Sequence, residues 1–357
     1  MKKLLAFLAA GLAVCVLLLY IVHDLNKGEG YAGGKTLTVY NWGDYIDTDL
    51  IKQFENETGI KVIYETFDSN EAMLTKIQQG GTTYDVAVPS EYMIDKMIKG
   101  NLLLPLDRSQ LPNLKNIDKR FMDLPFDPGN KYSVPYFWGT VGIAYNPKLL
   151  GGKKLRNWND LWDPALKHKI LLIDGAREVM GMGLNSLGYS LNDTNRIHLQ
   201  EAKQKLSSLM PNVKAIVGDE NKLLMQNNEA AIAVLWSGDA ADIMAENEDI
   251  DYVVPSEGSN LWFDNMVIPK TAKHVKAAHQ FINFMLGAKV AAQNTEYVAY
   301  STPNKAALKY MPKDMTEDKR FYPPPALTDR LEVYENLGQK NLAYYNDLFL
   351  EFKMHRK

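Results

Sequence analysis

Short β-rich runs alternate with amphipathic helical patterns in the first part of the chain beyond residue 34. Three such runs predict strands: Thr36–Tyr40, Lys61–Glu65 and Tyr84–Val88. Each run precedes polar residues that can cap a helix, namely Asp47 or Thr48, Ser69 and Ser90. Glycines predict where these helices end, at Gly59, at Gly80-Gly81 and at Gly100. This alternation is typical of a largely parallel sheet that carries helices on both faces.

The same pattern restarts after residue 147. Four further runs predict strands: Lys169–Ile173, Ala215–Val217, Ala230–Trp236 and Tyr252–Val254. Two stretches, Tyr132–Tyr145 and Val253–Pro269, are extended, aromatic and interrupted by Gly and Pro. We interpret these two stretches as crossovers between two lobes. Two crossovers would allow a hinge to close over a ligand.

We therefore predict an α/β protein with two lobes and a ligand cleft between them. The expected segments are an N-terminal anchor and linker at 1–34, a first lobe at 35–140 plus 263–304, and a second lobe at 141–262 plus 305–357. A long helix is predicted over Lys273–Leu286. The C-terminal helices, Ala306–Tyr310 and Asp329–Phe352, are expected to pack on the second lobe.

The N-terminus has the order of an export signal. Lys2 and Lys3 precede an uncharged apolar run, Leu4–Val22, and a Gly-rich polar segment follows it. The run is close to the roughly 20 residues that cross a bilayer. We favour an uncleaved anchor with the body from Lys35 outside the cytoplasmic membrane, at the cell surface or in the periplasm. A cleaved form and a form lipidated on Cys15 are the alternatives.

Composition limits the class of function. The formal net charge is −3, and Lys353–Lys357 is the single basic run, whereas nucleic-acid binding needs clustered Lys and Arg. With Cys15 as its one cysteine, the chain forms no internal disulfide and holds no CxxC metal or redox pair. We predict no cofactor, no metal site and no nucleic-acid partner, and we expect a monomer.

Aromatic and acidic residues recur together after the predicted strands and in the second crossover. The candidate ligand-binding residues are Trp42, Asp44, Tyr45, Ser90, Tyr92, Asp174, Glu178, Trp236, Trp262, Asp264 and Tyr300. In open parallel sheets, ligands bind beyond the carboxyl ends of the strands. Carboxylates neutralise ammonium groups and aromatic faces attract adjacent positive charge, so this set suits a flexible aliphatic chain that bears ammonium groups.

Each candidate also has a structural interpretation. A tryptophan after a strand, such as Trp42, is more often a core residue. Asp174 fits a helix cap equally well, and Tyr300 fits an ordinary surface aromatic. Ser90 is either a hydrogen-bond acceptor or the helix cap. Asp239 and Glu91 fit the beginnings of helices, and we leave both out of the site.

Several strings resemble those of the bacterial spermidine/putrescine-binding proteins of ABC-type importers. They include Tyr40–Trp42, Glu57–Tyr64, Tyr84–Tyr92, Ala176–Val179, Leu235–Gly238, Trp262–Pro269 and Ser301–Asn304. The resemblance runs from Leu37 to the C-terminus. It implies a type II periplasmic-binding fold, a polyamine held between the lobes, and a membrane permease of an ABC importer as partner.

The resemblance also implies roles for individual residues. Matched positions that line the family's site are Trp42, Tyr45, Ser90, Tyr92, Glu178, Trp236, Trp262, Asp264 and Tyr300. Asp264 and Glu178 are the expected ammonium partners, the tryptophans enclose the methylene chain, and the tyrosines offer hydroxyls and ring faces. Two positions depart from the family. The family can have an acid where this chain has Gly175, and Asp174 can take the place of that acid. The family can have a glutamine where this chain has Tyr334, and this difference bears on the choice between spermidine and putrescine.

Two rival functions use some of the same residues. An enzyme could use Asp174 and Glu178 as an acid pair for glycoside cleavage, but the site candidates include no histidine, and His274 and His279 lie in polar helical contexts five residues apart. We therefore predict no catalytic residue. A receptor for a sugar, a peptide or thiamine is the alternative, and the surplus of carboxylates favours a cation.

Overall fold

The computed structural model describes residues 35–218 and 220–354. The strands are β1 (Lys35–Trp42), β2 (Ile60–Phe67), β3 (Val86–Ala87), β4 (Ser133–Tyr145), β5 (Ile170–Ile173), β6 (Val213–Val217), β7 (Ile232–Trp236), β8 (Asp251–Val253) and β9 (Leu261–Val267). The α-helices are α1 (Thr48–Thr58), α2 (Asn70–Gln79), α3 (Glu91–Lys99), α4 (Ala176–Asn185), α5 (Arg196–Leu209), α6 (Glu220–Gln226), α7 (Ser237–Glu246), α8 (Val275–Met285), α9 (Ala288–Val298), α10 (Lys313–Thr316), α11 (Pro325–Thr328) and α12 (Gly338–Met354).

The predicted anchor, Leu4–Val22, and Cys15 lie outside the described residues. In the part of the chain that is described, no helix is both long enough and apolar enough to cross a bilayer.

Local polar and glycine signals set the helix ends in the first half. The Asp47 carboxylate accepts a hydrogen bond from the Asp49 amide at 2.9 Å and so caps α1. Ser69 caps α2 in the same way. Helix α1 ends at Gly59, whose φ of 69° is left-handed and favours glycine. These helix predictions are confirmed.

The described strands form one sheet with the order β2-β1-β3-β9-β4-β7-β5-β6, and β8 pairs with β4. Strand β1 runs parallel to β2 and β3, and β5 runs parallel to β6 and β7. Strands β4 and β9 are antiparallel to their neighbours. The sheet is therefore mixed rather than largely parallel, because the segments that we interpreted as crossovers pair with each other as strands.

Strand β4 belongs to both halves of the sheet. Its residues from Ser133 to Thr140 pair with β9, whereas those from Val141 to Tyr145 pair with β7 and β8. Every residue of β4 is buried. The first predicted crossover is thus a continuous strand that joins the two halves.

Buried apolar residues form separate clusters on either side of this strand. Residues between 37 and 138 and between 262 and 298 make up two clusters of the first half. Residues between 141 and 254 and between 345 and 352 make up two clusters of the second half. Trp236 packs against clusters of both halves. The candidate site lies where these halves meet.

One packing prediction is wrong. We expected Ala306–Tyr310 to pack on the second lobe, but Ala307 and Met311 pack on small residues of α9, which belongs to the first half. The alanine-rich face of α9 offers an apolar contact that the local sequence pattern could not assign. The last helix, α12, packs on α4 and α5, although it begins at Gly338 rather than near Asp329.

The two histidines considered above have structural contacts. His274 donates its backbone amide to the buried Asp85 carboxylate at 2.8 Å, and that carboxylate also accepts the amides of Thr38 and Lys273. Asp85 therefore joins β1 to the beginning of α8. His279 is buried rather than in a polar context, and its Nε2 accepts the Asp107 amide at 2.9 Å.

Candidate functional site

Asp264 is a buried carboxylate on β9, and the described residues offer it only neutral hydrogen-bond donors. Its Oδ2 accepts the Tyr45 hydroxyl at 2.6 Å, and its Oδ1 accepts the Ser90 hydroxyl at 2.7 Å. The residue is 7% exposed, and burial raises the pKa of Asp264 to about 6 against the effect of these two hydrogen bonds. No lysine, arginine or histidine of the described residues forms an ion pair with it. The site therefore holds a negative charge that a cationic ligand can neutralise.

Ser90 links Asp264 to the beginning of α3. It occupies the N-cap position, yet its side chain makes no capping hydrogen bond. Its hydroxyl instead donates to Asp264 and accepts the Asn70 side-chain amide at 3.1 Å. The same Asn70 amide lies 3.0 Å from the Tyr92 hydroxyl. Asn70 thus fixes two of the predicted site residues, Ser90 and Tyr92, in one network.

The rings of Tyr45, Tyr300 and Trp262 pack edge to face in a row, and the Tyr45 hydroxyl binds the Asp264 carboxylate. The rings of Tyr45 and Tyr300 are 5.5 Å apart, and those of Tyr300 and Trp262 are 5.1 Å apart, with interplanar angles of 66° and 81°. Such T-shaped pairs are a favoured packing of aromatic side chains. They hold the rings as a rigid wall beside the acid.

Glycines on two elements make room for this wall. A Cβ at Gly139 on β4 would lie 2.4 Å from the Trp262 indole, and a Cβ at Gly238 on α7 would lie 2.1 Å from the Tyr300 ring. Both distances are far below van der Waals contact. Trp262 and Tyr300 can therefore occupy these positions only because residues 139 and 238 are glycines.

The other two predicted tryptophans are partly buried at the boundary between clusters. Trp42 is the last residue of β1 and packs on Phe67 with ring centroids 4.5 Å apart. Trp236 ends β7 and packs against apolar clusters of both halves. Each can therefore present part of its indole to a ligand between the halves.

Glu178 brings an acid from the second half. It lies in the first turn of α4 and is partly buried. Burial raises the pKa of Glu178, and the Arg177 guanidinium opposes that shift. Burial raises the pKa of Tyr92, a residue of the first half, and the Glu178 charge acts in the same direction. The Glu178 carboxylate is therefore close enough to the first half to act on Tyr92.

Two predicted acids are not brought into this group. Asp174 forms an ion pair with Lys353 of α12, with distances of 2.7 and 2.8 Å, so its charge is already neutralised. Asp174 therefore does not substitute for the acid that Gly175 lacks. Asp44 is exposed, with a φ of 49°, and no described residue hydrogen-bonds its side chain. Among the described residues, no cluster of three or more His, Cys, Asp or Glu side chains could hold a metal ion.

The sequence profile of the bacterial extracellular solute-binding proteins matches residues 49–323. The chain belongs to this family. A relative from Salmonella typhimurium, named spermidine/putrescine-binding periplasmic protein, is 38% identical over 322 residues, which cover 90% of this chain and 92% of the relative.

Solved structures of the family agree with the fold. One from Listeria monocytogenes, described as a candidate spermidine/putrescine ABC transporter, is 66% identical with a TM-score of 0.84. A spermidine/putrescine ABC transporter substrate-binding protein from Streptococcus pneumoniae is 56% identical with a TM-score of 0.85. Each covers 90% of this chain and is itself covered completely. The predicted two-lobed periplasmic-binding fold is confirmed.

Three residues next to the candidate site were not predicted from the sequence. Asn70 looked like part of a helix beginning after Ser69, and no local signal showed that it reaches Ser90 and Tyr92. Tyr334, noted only as a departure from the family, is buried, and its pKa is raised by burial and by the Glu178 charge. Glu91, left out as a helix beginning, is a third buried acid at the boundary.

Proposed function

We propose that this solute-binding protein captures spermidine or putrescine outside the cytoplasmic membrane and delivers it to the permease of an ABC importer. The observation that carries the proposal is the buried Asp264 carboxylate, which has two neutral donors and no cationic partner among the described residues. A receptor of this family with such a group binds a cation.

The arrangement suits a linear polyammonium ion. Asp264 comes from the first half and Glu178 from the second, so one ligand with charges at both ends can neutralise both acids. Trp262, Tyr300 and Tyr45 supply aromatic surface beside the first acid, and each cation–aromatic contact gives about 0.5–2 kcal/mol. A few such contacts with partly desolvated ion pairs reach the roughly 8 kcal/mol of a micromolar complex.

The names of the relatives support the cargo. The Salmonella relative and the Streptococcus structure are both described as spermidine/putrescine proteins, and their identities of 38% and 56% extend over nearly the whole chain. The protein acts as a receptor and not as an enzyme, since binding and release by the lobes require no bond to be made or broken.

The finer assignments belong to the same proposal. The apolar run of residues 4–22 anchors the protein to the membrane, and the protein acts as a monomer. The lobes comprise residues 35–140 with 263–304 and residues 141–262 with the C-terminal part, apart from the segment that packs on α9. Trp42, Tyr92 and Trp236 contact the ligand from the boundary between them.

Calorimetry of the full-length protein in mild detergent tests the function. Spermidine or putrescine should bind with micromolar or tighter affinity, and neutral sugars, peptides and thiamine should give no comparable heat. Native mass spectrometry of the freshly purified protein would identify a retained diamine or triamine. Tighter binding of a neutral sugar than of either polyamine would reject the proposal.

A further inference from the structure

Glu91 is the most completely buried acid at the boundary between the halves. It is the first residue of α3 and is only 1% exposed. It directly follows Ser90, which binds the Asp264 carboxylate.

One of its carboxylate oxygens has a structural role. Oε2 accepts the backbone amide of Phe263 on β9 at 2.9 Å. On the same strand, the amide of Asn265 donates to Pro89 and the amide of Leu261 donates to Glu332. The Glu91 carboxylate therefore takes the place of a backbone carbonyl between two ordinary backbone hydrogen bonds.

The other oxygen has no such partner. Oε1 is buried and accepts no hydrogen bond from any described residue. An unpaired buried oxygen is costly, whether the carboxyl is ionised or protonated, so its persistence requires an explanation. Capping the strand edge uses Oε2 alone and does not account for Oε1.

The groups around Glu91 are those of the site. Asp264 on β9 adds negative charge, whereas Arg177 on α4 adds positive charge. Burial raises the pKa of Tyr92 on α3 and of Tyr334 in the second half, and the charges of Glu178 and Glu91 add to both shifts. Glu91 and Glu178 thus share two tyrosine neighbours.

Arg177 does not neutralise it. The guanidinium donates to the Asn192 side chain at 2.7 Å and to the Glu335 carbonyl at 3.2 Å, and it lies 4.2 Å from the Tyr334 ring centroid. No ion pair joins Arg177 to Glu91 within the described residues. The Arg177 guanidinium is therefore directed at Asn192, Glu335 and Tyr334 rather than at Glu91.

We propose that Glu91 is a third ligand carboxylate, whose Oε1 accepts a hydrogen bond from an ammonium of the bound polyamine while Oε2 keeps its bond to Phe263. This inference rests on the proposed function, and it adds a residue to the site of Asp264 and Glu178. The ligand class is an aliphatic polyammonium ion that places a charged nitrogen at this oxygen.

Binding at Glu91 should release a proton. Burial raises the pKa of Glu91 to about 8, with the Phe263 hydrogen bond opposing the shift, so near pH 7.4 the ligand-free carboxyl is mostly protonated. An ammonium stabilises the ionised form, and primary amines with a pKa near that of lysine, about 10.4, stay charged at this pH. Asp264, with a pKa of about 6, is already ionised there.

The test compares full-length wild type with Glu91→Gln by calorimetry at pH 7.4. The glutamine carbonyl can keep the Phe263 hydrogen bond, so the variant removes charge with little change in shape. Titrations in two buffers of different ionisation enthalpy give the number of protons released. We expect E91Q to weaken spermidine or putrescine fivefold or more and to lose most of the wild-type proton release. Asp49→Asn, which removes an exposed acid of α1, should change neither quantity.

The opposite result would show that Glu91 is only a strand-edge cap. In that case E91Q binds both polyamines within fivefold of wild type with the same proton release, while Glu91→Ala lowers the melting temperature. If E91Q does not fold, the proton release of Glu178→Gln decides, because burial raises the pKa of Glu178 as well and this variant removes that source of protons. Release of half a proton or more per ligand by Glu178→Gln supports the inference, and less overturns it. A wild type that binds no polyamine refutes the proposed function itself, which separates the two failures.

Discussion

Replacing Asp264 with asparagine should weaken polyamine binding about a hundredfold. The side chain keeps its shape and can still accept from Tyr45 or Ser90, but the charge that pairs with an ammonium is gone. Removing one partner of a buried charge pair typically costs about 2–4 kcal/mol, and every 1.4 kcal/mol is a factor of ten in affinity. The expected range is therefore roughly thirtyfold to several hundredfold.

The loss should not arise from unfolding. Burial raises the folded-state pKa of Asp264 from 3.8 to about 6, so the ionised carboxylate destabilises the ligand-free protein above pH 6. The D264N variant should therefore melt at the same or a higher temperature than wild type at pH 7.4, provided that its neutral hydrogen bonds persist. Differential scanning calorimetry measures this directly.

A matched control removes a different acid. Asp174→Asn also deletes one negative charge, but that charge is paired with Lys353 on the surface. Binding should stay within about twofold of wild type, because exposed ion pairs contribute roughly 0–1 kcal/mol and this one is outside the Asp264 group. If D264N bound spermidine and putrescine within threefold of wild type, or if D174N were the weaker variant, the assignment of Asp264 would be refuted.

Three further predictions test the site and the fold. Lowering the pH from 7 to 5 should weaken wild-type binding at least tenfold, because Asp264 with a pKa of about 6 must lose a proton to bind an ammonium, and calorimetry of D264N should show less of this dependence. Gly139→Ala should displace the Trp262 indole, which would lie 2.4 Å from the new Cβ, and cost about 1–3 kcal/mol in stability by denaturant unfolding together with weaker binding. Asp85→Asn should cost about 2–3 kcal/mol in the same unfolding assay, because its carboxylate accepts several backbone amides, while the affinity of the folded variant stays within about threefold.

The sequence predicted what local chemistry determines. Asp47 and Ser69 begin their helices and Gly59 ends one, because a cap is decided by residues within a few positions. The mixed sheet was not predictable in this way. Strand β4 pairs with β9 and β7, which are distant in sequence, and no periodicity reveals the direction of a partner strand.

In the candidate site, too, local chemistry was predictable from the sequence and long-range contacts were not. Asp264 and Tyr45 were predicted and do meet, although 219 positions separate them, because the family resemblance supplied the long-range information. Asp174 had the same local signal, an acid after a buried strand, yet Lys353 binds it from 179 positions away. Glu91 was dismissed because acids often begin helices, and only the fold shows that its carboxylate reaches Phe263.

The buried acids select against neutral ligands as well as for cations. Tryptophan and tyrosine rings stack on sugars too, so the aromatic wall of Trp262 and Tyr300 does not by itself determine the cargo. A sugar enclosed here would leave Asp264 and Glu178 without cationic partners, and an uncompensated buried charge costs several kcal/mol. Alternatively the carboxyls would take up protons, and at pH 7.4 this also costs free energy for Asp264, whose pKa is about 6. A polyammonium ion avoids both costs, and specificity is the difference between these two affinities.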